Sequence, residues 1–104
     1  MRDKDRPHFY NMAGQPIEAE TAYRLLGGEF DIDRVVCRNE QGDVSVSTVL
    51  LVIDHAFEGE PLIFETMVFG GEHDELCERY STRDEAVKGH QRVCETVFQS
   101  SKDR

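Results

Sequence analysis

Residues 44–69 read VSVSTVLLVIDHAFEGEPLIFETMVF, and the folding of this stretch decides the rest of the chain. It opens in strict alternation, Val44 and Val46 against Ser45 and Ser47, the period-two signature of a half-buried strand. From Val49 to Ile53 it becomes apolar on both faces, which predicts a strand passing into the centre of a sheet. PLIFETMVF then reads as a second strand, again apolar on both faces except at Glu65 and Thr66. The connection from Asp54 to Pro61 is wider than a tight turn, and the two strands read as an antiparallel hairpin.

Working outward, DRVVCR is a strand that enters this hairpin through the turn NEQGD, and Leu76 to Tyr80 is a short strand after GGEHDE. HFYNMAGQPI reads as a short strand and a Gly-Pro turn leading into a helix from Glu18 to Leu26. Gly27-Gly28 stops that helix, glycine taking the left-handed cap conformation at little cost. Thr82-Arg83-Asp84-Glu85 is a capping box that starts the last helix. Ala86, His90, Val93, Cys94 and Val97 then share one face. The pattern predicts an α+β fold: a four- or five-stranded, mainly antiparallel sheet, with a short N-terminal and a longer C-terminal helix packed on it. A single domain is expected over residues 8–99, between flexible tails at 1–7 and 100–104.

The chain has 104 residues, 38% hydrophobic and 32% charged, with a net charge of −9. Ten carboxylates and no Lys or Arg fall between Asn39 and Glu78. A field of one sign repels nucleic acid and attracts basic surfaces or cations. No apolar run approaches the roughly 20 residues of a membrane span, and the N-terminus lacks the apolar core of a secretory signal. A cytoplasmic protein is therefore expected. Cys37, Cys77 and Cys94 are odd in number and widely spaced, which predicts reduced, mostly buried thiols rather than disulfides or a zinc site.

Four residues make a candidate pocket. Asp54 and His55 sit where a strand meets its loop, Glu65 interrupts an apolar strand, and His90 lies within the apolar arc of the last helix. Buried, Glu65 requires a partner, and His90, Arg79 and Arg92 are chemically suited. Together the four offer the oxygens and nitrogens of a divalent metal site or an acid–base pair. Each also has an ordinary structural reading: a core histidine, an edge or paired carboxylate, a loop end. Phosphate-loop, GxSxG and HExxH signatures are absent, so the sequence leans against an enzyme without deciding the question, and no cofactor is expected. Carboxylates around Cys77 disfavour its thiolate.

The segments VSTVLLVIDHAFEGEPLIFETMVFGG and ERYSTRDEAVKGH resemble a family of small proteins encoded by tailed phages and by prophage-carrying actinobacterial genomes. The matching region is Val44 to His90, with FYNMAGQPI as a further, weaker element. Leu50 stands where the family pattern has a tryptophan, and the helix after Ile17 lacks the Ser or Thr cap of that pattern. The resemblance implies a phage-derived, intracellular setting and no particular activity.

The expected function is binding: an acidic face of Glu58, Glu60, Glu72, Asp74 and Glu75 engages the basic surface of a host or competitor factor, with inhibition of that factor as one form of the contact. The alternatives are a small-ligand or metal site, with hydrolytic chemistry, on Asp54, His55, Glu65 and His90, and a virion or assembly component acting through oligomerisation, a homodimer included.

Overall fold

A computed structural model describes residues 7–27 and 34–102, with side chains described up to Phe98. Its elements are α1 (Ala19–Leu26), β1 (Val35–Gln41), β2 (Val44–Leu50), β3 (Phe64–Phe69), β4 (Cys77–Tyr80) and α2 (Arg83–Lys102). The strands form a four-stranded antiparallel sheet in the order β1-β2-β3-β4, with α2 packed on one face. The fold is α+β.

Alternation along β2 and β3 sorts the two faces. Val46 pairs with Val68, Thr48 with Thr66 and Leu50 with Phe64, and all six point inward beneath α2. Ser45, Ser47 and Val49 face outward with Phe69, Met67 and Glu65. From α2, Ala86, His90, Val93 and Val97 are buried, as their helical spacing predicts. The capping box forms in full: the Glu85 amide donates to Thr82 Oγ1, and the Thr82 amide and hydroxyl both donate to Glu85 Oε1. The helix runs on to Lys102, past the boundary expected at residue 99.

The strand expected to continue through Ile53 ends at Leu50. Val52 adopts a φ of 72°, a left-handed conformation that a β-branched residue rarely takes and that interrupts any ladder. The apolar run 51–53 is covered instead by the N-terminal segment. Tyr10 N–H donates to Val52 O, Asp54 N–H donates to His8 O, and Phe9 bridges Ile53. Tyr10, Ala22, Leu50, Val52, Ile63, Phe64, Tyr80 and Ala86 make one buried cluster at this end of the sheet, with α1 against it. Gly27 caps α1 through its amide to Tyr23 O at φ −93°, not in the left-handed conformation; Gly28 lies outside the described residues.

Candidate functional site

His90 is 3% exposed and lies between α2 and the middle of the sheet. Its Nε2 is 2.7 Å from Asn39 Oδ1, and its Nδ1 is 2.7 Å from Thr48 Oγ1. Asn39 Oδ1 also receives the Cys94 thiol, so this amide oxygen is a shared acceptor and Nε2 carries the imidazole proton. Nδ1 then accepts from the Thr48 hydroxyl, which in turn lies 2.5 Å from the Thr66 hydroxyl. Thr66 also contacts the Tyr80 hydroxyl, which donates to Glu78 Oε1, and Arg92 closes the series on Glu78. A polar chain thus crosses the core from β1 to β4. Burial lowers the His90 pKa from its ordinary value, and the groups bonded to the ring, Asn39 and Thr48, carry no charge to oppose that.

Glu65 does not meet His90. It sits opposite Val49 and Arg79, on the outer face of the sheet, while His90 is under the inner face. Its Oε2 accepts from Arg79 Nε at 2.9 Å and from the Cys77 thiol at 3.3 Å. Asp54 is buried and acts as a clamp: Oδ1 accepts the amides of Ala56 at 2.8 Å and Leu62 at 3.0 Å, pinning both sides of the β2–β3 loop. His55 is exposed, with its amide bonded to Leu62 O. The four members of the candidate pocket therefore do not come together. Among the described residues, no three His, Cys, Asp or Glu side chains are grouped to hold a metal.

The proposed acidic face divides into two ends. Glu58 and Glu60 lie in the β2–β3 loop; Glu72, Asp74 and Glu75 lie in the β3–β4 turn at the opposite end of strands spanning roughly 20 Å. Gly70 and Gly71 press that turn against the β1–β2 hairpin. A Cβ on Gly70 would sit 2.3 Å from Asp43 O, and one on Gly71 2.8 Å from Val44 Cγ2. Both glycines have positive φ, and Asp74 Oδ1 accepts the Gly70 amide at 2.8 Å, fixing the turn. The result is one end of the molecule carrying Asp43, Glu72, Asp74 and Glu75, all exposed.

The cysteines are all free. Cys37 and Cys94 are half-buried, but Cys77 is exposed on the outer face, where a buried thiol was expected. Desolvation, and then the hydrogen bond to Glu65, push the Cys77 thiol up, which makes it a poor nucleophile. Desolvation does the same to Cys94.

Thr48, Thr66 and Asn39 escaped the sequence reading. The two threonines share the phase of Val46, Leu50, Phe64 and Val68, so alternation placed them inside, where a hydroxyl needs a partner. Asn39 gave no such signal, because its role depends on a contact 51 residues away. Comparison with known proteins gives no matching family model, no matching curated protein and no matching solved structure. Among the described residues, no helix is long and apolar enough to cross a membrane.

Proposed function

We propose that this protein binds the basic surface of another protein through its acidic turn end and blocks it. The observation that carries this reading is the packing of Gly70 and Gly71 on Asp43 and Val44, which gathers carboxylates from two separate turns. No Lys or Arg falls between Asn39 and Glu78 in the sequence, so the two turns themselves contribute none. Asp74 is tied to the turn through the Gly70 amide and Glu72 lies 3.8 Å from His73, while Asp43, Glu72 and Glu75 are all exposed at this end. The resemblance to phage proteins makes a host or competitor factor the natural target. The test is affinity for an oligolysine peptide. Reversing Asp43, Glu72 and Glu75 to lysine should weaken binding at least tenfold, about 1.4 kcal/mol. Reversing Glu18, Glu20 and Glu95 gives the same net charge at other places and should cost far less. Equal losses would reduce the effect to net charge and sink the site.

A second reading, a self-assembling component, has one observation in its favour. Among the described residues, the outer sheet face lies opposite α2 and carries the half-buried Val49 and Met67 with the half-exposed Phe69. Native mass spectrometry that detects only monomer, unchanged by Phe69→Glu, would remove it.

A further inference from the structure

At the loop end of the sheet a cleft of about 210 Å³ opens between the N-terminal turn, the β2–β3 loop and the start of α2. Its floor is apolar, made by the buried Tyr10 and Ile63 and the half-buried Pro61. Glu60, Ser81 and Thr82 are also in its lining. Thr82 is fully engaged with Glu85, amide and hydroxyl alike, so it offers no free donor to an anion. The first turn of α2 instead adds the carboxylates of Asp84 and Glu85 against the single guanidinium of Arg83. A largely apolar recess whose lining holds a single acidic residue, Glu60, suits an aliphatic chain with a cationic head.

We infer that this cleft takes the side chain of a lysine presented by a protein partner, its methylenes against Tyr10, Pro61 and Ile63 and its ammonium at Glu60. A single carboxylate matches the point charge of an ammonium better than the fork of a guanidinium. The inference rests on the reading that the carboxylates recruit a basic protein, and it names the residue type that docks.

The test is an NMR titration of the isotope-labelled protein with capped lysine, with its ε-acetylated form and with capped norleucine. Capped lysine should move the resonances of Tyr10, Ile63 and Ser81 with a millimolar Kd, and both uncharged analogues should bind several-fold more weakly. Glu60→Gln should erase that preference while the rest of the spectrum stays put, and Ser81→Leu should block the cleft. Oligolysine, run in parallel, reports both sites: shifts at Asp43, Glu72 and Glu75 follow the acidic turn end, and shifts at Tyr10, Ile63 and Ser81 follow the cleft. Shifts at the turn end alone would overturn the cleft and leave the proposed function standing. Shifts at neither would end both. Equal binding of lysine and its acetylated form would also overturn the inference.

Discussion

Gly89→Ala should destabilise this protein although it improves the helix it sits in. Glycine in a helix interior costs roughly 1 kcal/mol relative to alanine. On propensity alone the substitution would therefore help α2. A Cβ at position 89, however, would lie 2.3 Å from Tyr80 Cζ and hydroxyl and 2.4 Å from Cε1. Tyr80 is buried, and its hydroxyl donates to Glu78 and contacts Thr66, so the ring has little room to swing away. Overpacking of this kind costs about 1–3 kcal/mol, and a displaced ring also gives up a hydrogen bond worth about 1 kcal/mol. The net expectation is a loss of about 2 kcal/mol, read as a fall of about 1 M in the urea midpoint. The sign should invert in a Tyr80→Leu background. Leucine lacks the far half of the ring, so Gly89→Ala should there stabilise by about 1 kcal/mol. If Gly89→Ala raises the midpoint of the otherwise unchanged protein, the packing of Tyr80 into the glycine notch is wrong.

Three further outcomes follow from the core and the loop. Because His90 has a lowered folded pKa, the unfolded chain takes up its proton first; stability should be full above the ordinary value of 6.5 and fall as pH drops through it. Urea curves between about pH 5 and 7 should show that slope, and His90→Gln should flatten it. Thr48→Val strips the Nδ1 acceptor of its donor and should cost about 1–3 kcal/mol, while imidazole ¹⁵N shifts of the unaltered protein should report the Nε2–H tautomer. Asp54→Ala removes the acceptor of two loop amides, so hydrogen exchange at Ala56 and Leu62 should accelerate well beyond that elsewhere; protection equal to the parent would show that the clamp is dispensable.

The inner face was legible because alternation is local. Val44 to Leu50 and the capping box at Thr82 are short-range patterns, and both form as read. Where the sequence misled, a nonlocal partner was responsible. Leu51 to Ile53 look like a central strand because they are apolar on both faces, but their cover is residues 8–10 rather than two neighbouring strands. Glu65 could not be assigned a face, since one step of register moves a side chain across the sheet, and the actual pairing with Val49 sends it outward. The acidic surface was half legible. Charge segregation is visible in the composition, yet the split between two ends, and the addition of Asp43 to one of them, depend on how the strands run and how Gly70 and Gly71 pack.

The most direct test of the acidic turn end is the salt dependence of oligolysine binding, followed by fluorescence anisotropy from roughly 50 to 200 mM NaCl. The unaltered protein should lose affinity steeply across that range. The variant with Asp43, Glu72 and Glu75 reversed should start weaker and give a shallower slope, and the variant reversed at Glu18, Glu20 and Glu95 should keep most of the parent's slope. Identical slopes in all three would contradict the claim that this end of the sheet is where a basic partner binds.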